Sequence, residues 1–314
     1  MELITEVACG DWLRARVGDW ARVGGVAGVG FEAYARILHP VPAHREDLTV
    51  TDRWGMHPVL EETRWPWSRV AARQGLTMHP LVQWNRFADP DQGIDFADGW
   101  RVGQTREGSL DVDLLAGLTR HLREATRSPE QLVVGIWTGW GELTGSPVVY
   151  SRADVGGGVK DAEEEVDAEA GTDAEAEADE QMRLHLEEQR TSVAPEVAAA
   201  VRRGPLLELP GREYVLLATG CDELADETWP HRAGVGWTSV FEGPLPQLVW
   251  PVDRAWVVAS EIDWDSTIVA GSRGLVDAVL ADEVFEAFEV DEGADLSWEG
   301  DLVNPPRVGW SAGP

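Results

Sequence analysis

The stretch LDVDLLAGLTRHLREATRSPEQLVVGIW, residues 110–137, decides the class of fold. Leucines at positions 110, 114, 115, 118 and 122 form one apolar stripe, which predicts a helix from Leu110 to Ala125. Ser109 is expected to cap that helix at its N-terminus. The run Leu132–Trp137 is apolar without interruption, and this pattern predicts a strand in the middle of a sheet. The chain is therefore expected to combine helices with a buried sheet.

The rest of the chain mixes strands and helices without a regular alternation. The glycine-rich run Gly24–Gly30 is interpreted as a loop, because it does not match the order of a dinucleotide-binding fingerprint. Since no repeated strand–helix–strand unit is present, the sequence predicts an α+β fold with mixed or antiparallel sheet elements packed with a few helices. Strands are predicted at Phe31–Leu38, Glu213–Ala218, Gln247–Trp250, Ala255–Ile262 and Thr267–Ala270, and shorter helices at Trp67–Gln74 and Ser272–Asp282.

An acidic, aromatic-free segment from Ser151 to Ser192 divides the chain. It holds fourteen acidic and four basic residues, so it carries −10 of the net charge of −30. Such a run buries too little apolar surface to offset its ordering entropy, and it predicts a disordered linker with a helix at Gln181–Gln189. The predicted organisation is an N-terminal α+β half (1–150), the linker (151–192) and a C-terminal α+β half (193–314). A single composite domain made of both halves is the alternative.

Charge and composition exclude several classes of protein. The chain has 56 acidic and 26 basic residues with a single lysine, Lys160, so it has no basic face for nucleic acid or for an anionic membrane. Cys9 and Cys221 are its only cysteines, which excludes a disulfide scaffold. The acidic N-terminus does not match a signal peptide, and no apolar run has the length of a spanning helix. We therefore expect a cytoplasmic protein, and its amino-acid usage is typical of a GC-rich bacterial genome.

The densest polar cluster follows the predicted strand Ala255–Ile262 and consists of Glu261, Asp263, Asp265 and Thr267. Alternate residues of a strand share one face, so the three carboxylates are expected to lie together. They are suited to hold Mg²⁺ or Ca²⁺ or to act as general acid and base. The alternative is a solvent-facing strand edge followed by a turn, with Arg254 paired to the acids in a structural network. No motif identifies a cofactor or a catalytic nucleophile, and the metal question stays open.

Tryptophan is the unusual component of the composition, with sixteen residues. Indole is large, rigid and amphipathic, so it dominates both cores and binding surfaces. Trp137 and Trp256 lie in predicted strands and are expected in the core. Trp140, Trp229 and Trp237 lie in glycine- or proline-rich loops and are expected to be exposed contact residues.

Four phrases occur together in this chain: GFEAYARILHP (30–40), WTGWG (137–141), PGREY (210–214), and WPVDRAW (250–256) continuing into EIDWDST (261–267). Together they resemble a family of uncharacterised actinobacterial proteins, and the resemblance spans both halves. It implies no activity, cofactor or catalytic residue. A looser similarity is to immunity proteins of the SMI1/KNR4 type, which implies an acidic, cytosolic α+β binding protein.

Three functions are consistent with these features. The preferred one is a non-catalytic, immunity- or adaptor-like protein that uses an acidic, tryptophan-bearing face to engage a basic protein partner. The second is a carboxylate- or metal-dependent hydrolase centred on Asp263 and Asp265. The third is a DNA mimic, which the charge favours and the tryptophan-rich strands disfavour. The sequence does not predict an oligomeric state.

Overall fold

The computed structural model describes residues 1–89, 92–144 and 171–307, with the side chains of 171–180 and 182 left out. Within these ranges the fold is α+β, as the sequence predicts, and every pair of strands is antiparallel. The strands are β1 (Glu2–Ile4), β2 (Ala33–Leu38), β3 (Val41–Glu46), β4 (Val59–Trp65), β5 (Ile94–Asp95), β6 (Trp100–Val102), β7 (Leu132–Trp137), β8 (Leu207–Leu209), β9 (Arg212–Thr219), β10 (Leu248–Pro251), β11 (Val257–Ala259), β12 (Ser266–Gly271) and β13 (Ala287–Val290).

The α-helices of the described residues are mostly short, and none is long and apolar enough to cross a membrane. They are α1 (Asp11–Arg14), α2 (Val23–Ala27), α3 (Trp67–Gln74), α4 (Val112–Glu124), α5 (Gly141–Thr144), α6 (Gly171–Ser192), α7 (Pro195–Arg203), α8 (Cys221–Leu224) and α9 (Arg273–Leu280). Single 3-10 turns lie at Val7–Gly10, Trp84–Arg86 and Trp229–Arg232.

The large sheet has nine strands in the order β1-β9-β7-β10-β11-β12-β2-β13, with β8 paired to β9. Strands β1, β2 and β7 precede the acidic segment in the sequence, and the other six follow it. Strand β7 lies between β9 and β10, and β2 lies between β12 and β13. Strands from both halves of the chain are therefore interleaved in one sheet.

Both faces of the large sheet are buried, which explains its uninterrupted apolar runs. On β7, Leu132, Val134 and Ile136 point into a core shared with α4, α7 and α9, whereas Val133 points to the opposite face. That opposite face is covered by α1 and α2, and side chains of strand β8 are part of the same core. Alternation along each strand thus places apolar side chains in two separate cores.

A small sheet with the order β4-β3-β6-β5 forms a third core with α3. Trp65, Trp67, Trp84 and Phe87 fill it, and ring centroids lie 5.2 Å apart for Trp67 and Trp84. The segment from Pro80 to Phe87 runs between this core and strand β2. It brings main-chain carbonyl groups close to side chains of the large sheet.

The acidic segment is described only in its last part. Residues 151–170 of the predicted linker lie outside the described residues, while Gly171–Ser192 forms helix α6 and so extends the helix expected at Gln181–Gln189. The end of α6 packs onto the protein: Gln189 is buried, and its side-chain amide donates to the carbonyl of Glu242 at 3.2 Å.

Two local predictions need correction. Residues 24–27 of the glycine-rich run belong to helix α2 rather than to a loop. A Cβ on Gly25 would lie 1.7 Å from the carbonyl oxygen of Asp19, so the close packing of the helix on this carbonyl requires glycine. Helix α4 begins after Asp111, not at Ser109, and no side chain caps it. The Asp111 carboxylate pairs with Arg64 at 2.7 Å instead.

Candidate binding pocket at the Glu261–Asp265 turn

The candidate carboxylates lie on the connection between β11 and β12, and this connection is a turn rather than the end of a strand. The main-chain N–H of Trp264 donates to the carbonyl of Glu261 at 3.0 Å and closes the turn. The prediction that Glu261, Asp263 and Asp265 share one strand face is therefore wrong. Strand β11 already ends at Ala259, and the turn sends the three side chains into different surroundings.

Asp265 points into the protein and pairs with a buried guanidinium. Its Oδ1 lies 3.4 Å from Nη2 of Arg36, and the two side chains are 15% and 1% exposed. Arg36 also donates to Ser266 Oγ and to the main-chain carbonyls of Pro80 and Val82. Burial raises the pKa of Asp265 and lowers the pKa of Arg36, and their attraction offsets part of both shifts. The pair joins β2, β12 and the segment that leads into the third core.

Thr267 belongs to a buried chain of hydrogen bonds beside this pair. Nδ1 of His39 lies 2.6 Å from the carbonyl of Arg106, so this nitrogen carries the proton in the neutral ring. Nε2 of His39 then accepts from Thr267 Oγ1 at 2.8 Å, and Ser260 Oγ donates to Thr267 at 2.7 Å. Burial lowers the pKa of His39 to about 4, which keeps the ring neutral. Thr267 therefore helps to hold the β11–β12 hairpin in place, and its side chain is buried.

Glu261 turns to the other side and pairs with Arg212 at the start of β9. The guanidinium of Arg212 lies between two indoles, 5.5 Å from the ring centroid of Trp20 and 5.9 Å from that of Trp137. Asp263 lies 4.0 Å from the same guanidinium and is 71% exposed. Burial raises the pKa of Glu261, and Arg212 offsets part of the rise. A rigid, desolvated ion pair thus supports a freely exposed carboxylate.

Trp20, Arg212, Glu261 and Asp263 line an open pocket of about 410 Å³, which lies within the size range of ligand-binding pockets. Ser297, Trp298 and Glu299, from the segment after β13, line it as well. Trp298 is 51% exposed and Glu299 is also exposed. The pocket therefore combines accessible indole surface with three carboxylates against one guanidinium. The full lining is Trp20, Ala21, Arg212, Glu261, Asp263, Trp264, Ser297, Trp298 and Glu299.

Glu107 adds a further carboxylate near the turn, on the loop before α4. Partial burial raises the pKa of Glu107 to about 7, and repulsion from Asp265 and Asp263 is a smaller contribution to the same rise. Because Glu107 is an exposed residue, water screens part of this effect. The loop is fixed to the turn, since the N–H of Gly108 donates to the carbonyl of Trp264 at 2.9 Å.

Other candidate residues lie away from the pocket. Arg254 is in the connection between β10 and β11, at the opposite end of β11, and stacks over Trp12 at 5.4 Å. Within the described residues Arg254 does not pair with the turn carboxylates, contrary to the expectation from the sequence. Trp140 and Trp237 are half-buried, and their indole N–H groups donate to Gln247 and to the carbonyl of Pro244. Trp229 is completely buried, so the expectation that it is exposed is wrong.

The sequence predicts the turn but not most of the pocket. Trp20, Arg212 and Trp298 are distant from the turn in sequence. Strand β9 positions Arg212, and the pairing of Arg22 with Asp295 brings the segments of Trp20 and Trp298 together. Arg212 follows the Pro210–Gly211 turn, a local signal for the strand but not for its partner. Among the described residues, no group of three or more His, Cys, Asp or Glu side chains is arranged to hold a metal ion.

Another open depression of about 420 Å³ lies around Thr219 and Glu223 at the edge of the large sheet, and it contains none of the predicted residues. Comparison of the chain with known protein families, curated proteins and solved structures gives no match.

Proposed function

We propose that this chain is a non-catalytic binding protein whose pocket at the Glu261–Asp265 turn takes an arginine or lysine side chain of a basic protein partner. The observation that carries this proposal is the lining of the pocket. The indoles of Trp20 and Trp298 and the carboxylates of Asp263 and Glu299 line the same open cleft. Aromatic faces and carboxylates both attract cations, and they do so together in sites that recognise cationic groups.

The chain itself provides an example of this recognition. Arg212 packs between Trp20 and Trp137 while it pairs with Glu261. A partner's guanidinium on the solvent side of Trp20 would meet the same chemistry, with Asp263 in the role of Glu261. The net charge of −30 also speeds encounter with a basic surface.

The surroundings of the acids favour binding over acid–base chemistry. A general acid and a general base must both reach the same bound substrate. Asp265 is held by Arg36 inside the protein, whereas Asp263 is open to water. His39 is buried behind the turn, and no histidine is part of the pocket lining as the structure describes it.

The test uses the tripeptide Gly-Arg-Gly and its neutral isostere Gly-citrulline-Gly. Indole N–H resonances of the labelled full chain report directly on Trp20 and Trp298. We expect Gly-Arg-Gly to shift these two signals in a saturable, salt-sensitive way, and Gly-citrulline-Gly to leave them in place. Asp263→Asn combined with Glu299→Gln should weaken binding about tenfold, because it removes both exposed carboxylates of the pocket.

The matched control is Glu227→Gln combined with Glu283→Gln, which removes two exposed charges outside the pocket lining. This variant should bind Gly-Arg-Gly almost as well as the unchanged chain. Equal binding of the citrulline peptide, or equal losses in the two double variants, would overturn the proposal, because general charge would then explain the binding.

A further inference from the structure

Strand β4 is the outer strand of the small sheet, and its free edge is open. Within the described residues it pairs only with β3, and residues 59–64 are all exposed. Most proteins protect such an edge, because its unpaired main-chain groups are a template for another strand. Here the open edge is seven residues long.

The register shows which main-chain groups of β4 point outward. The carbonyl of Pro42 accepts from Gly103 at 2.8 Å, so Pro42 points toward β6 and away from β4. Pro42 lies opposite Arg64, and His44 lies opposite Glu62. Because main-chain direction alternates along a strand, the N–H and C=O groups of Glu62 and Arg64 point away from β3. These groups are the ones that a further strand would meet.

The tip of the same hairpin carries an apolar surface next to this edge. Trp54 is 74% exposed, and Leu48, Val50, Met56 and Leu60 are each about half exposed. The tip is ordered, since the Asp52 carboxylate accepts from the N–H groups of Trp54 and Met56 at 2.8 and 2.9 Å. Exposed apolar side chains that cluster on an ordered hairpin indicate an interaction site.

Charge indicates what kind of strand fits. Glu61 and Glu62 lie in the middle of β4, and the tip adds Asp47 and Asp52 against Arg53. The charge of Arg64 is already neutralised by Asp111 and Asp113. Glu62 forms no ion pair within the described residues, and Glu61 faces Arg45 only at 3.6 Å. A second copy of the chain would bring another −30 to the edge, so repulsion disfavours self-pairing. A basic, extended segment is attracted instead.

We infer that the free edge of β4 binds an extended segment of a basic partner protein as an additional strand. Main-chain hydrogen bonds to Glu62 and Arg64 supply the pairing. Basic side chains of the segment lie beside Glu61 and Glu62, and apolar side chains reach Val59, Leu60 and the tip. This edge is separate from the indole-lined pocket, so the inference does not depend on the function proposed for that pocket.

The test uses a short synthetic peptide of alternating arginine and valine, with two derivatives. One derivative has its main-chain nitrogens methylated on alternate residues, and the other has glutamate in place of arginine. We expect the parent peptide to bind the full chain, and both derivatives to bind at least about tenfold more weakly, as the loss of one to two net hydrogen bonds or of charge attraction implies. Binding is measured by calorimetry at low salt.

Glu62→Pro is the matching change in the protein. It removes the outward N–H, which β4 does not use for its pairing to β3, so the edge strand tolerates the proline. Glu62→Gln keeps the N–H and serves as its control. We expect Glu62→Pro to weaken peptide binding more than Glu62→Gln, while the melting temperatures of both variants stay close to that of the unchanged chain.

Three results would overturn the inference. Equal binding of the methylated peptide to the unchanged protein would exclude strand pairing, whatever the variants do. A dimer that dissociates on Glu62→Pro would assign the edge to a second copy. If binding of the parent peptide is lost in Asp263→Asn/Glu299→Gln but kept in Glu62→Pro, the pocket binds it and the edge does not. The reverse result supports the edge.

Discussion

Within the Glu261–Asp265 turn, the segment Asp263–Asp265 holds carboxylates of the same type in opposite environments at its two ends. Asp265 is paired with the wholly buried Arg36, and burial dominates the pKa shifts of both groups. Asp263, two residues earlier, lies 4.0 Å from the partly buried Arg212 and is 71% exposed. The difference shows that this segment has a structural end at Asp265 and an open end at Asp263. Only the open end has free charge to offer to a partner.

The largest expected effect is at the buried end. Asp265→Asn should lower the free energy of unfolding by about 3–5 kcal/mol, because Arg36 keeps its charge in a dry site without a counter-charge. Urea unfolding followed by circular dichroism measures the loss. Arg36→Met combined with Asp265→Leu should recover most of it, since no unpaired charge remains. A loss below about 1 kcal/mol for Asp265→Asn would mean that the carbonyls of Pro80 and Val82 alone satisfy Arg36.

His39 should give the buried end a pH dependence. Its pKa is about 4 in the folded chain against an ordinary 6.5, so the native state binds fewer protons between these values. The contribution to stability is complete above pH 6.5 and is lost as pH falls toward 4, about 3 kcal/mol in total. His39→Gln should remove this part of the decline in a series of urea titrations. His231→Gln, at an exposed histidine, should leave the decline unchanged.

The smallest effect on stability is expected at the open end. Asp263→Asn should change the free energy of unfolding by less than about 0.5 kcal/mol, because a solvent-exposed carboxylate contributes little. Both variants replace an aspartate of the same turn by asparagine, and both are measured by the same unfolding experiment. A loss of similar size at both positions would contradict the division of the turn into a structural and an open end.

Local signals were sufficient where an element carries its own boundaries. Helix α3 runs from Trp67 to Gln74 as predicted, between Pro66 and the left-handed Gly75. Strand β7 also matches its prediction residue for residue, since it is apolar on both faces. Both elements are defined by neighbours in sequence, so composition and periodicity find them.

Elements that depend on distant partners could not be found this way. Strand β4 has no apolar periodicity, because one edge and most side chains face solvent. Strand β11 ends at Ala259, and alternation within the predicted strand does not reveal that Glu261 pairs with Arg212. The pocket depends on segments around Trp20, Arg212 and Trp298, and their proximity follows from the sheet order and from the pairing of Arg22 with Asp295.

The pairing of β2 with β12 and β13 has a consequence for biosynthesis. Arg36 and Ser266, hydrogen-bonded across this pairing, are 230 positions apart in the chain. Strand β2 thus waits for its neighbours until about 230 further residues have been translated. Closing so large a loop makes folding slow, and an apolar strand without its sheet neighbours is prone to aggregate until β12 and β13 emerge.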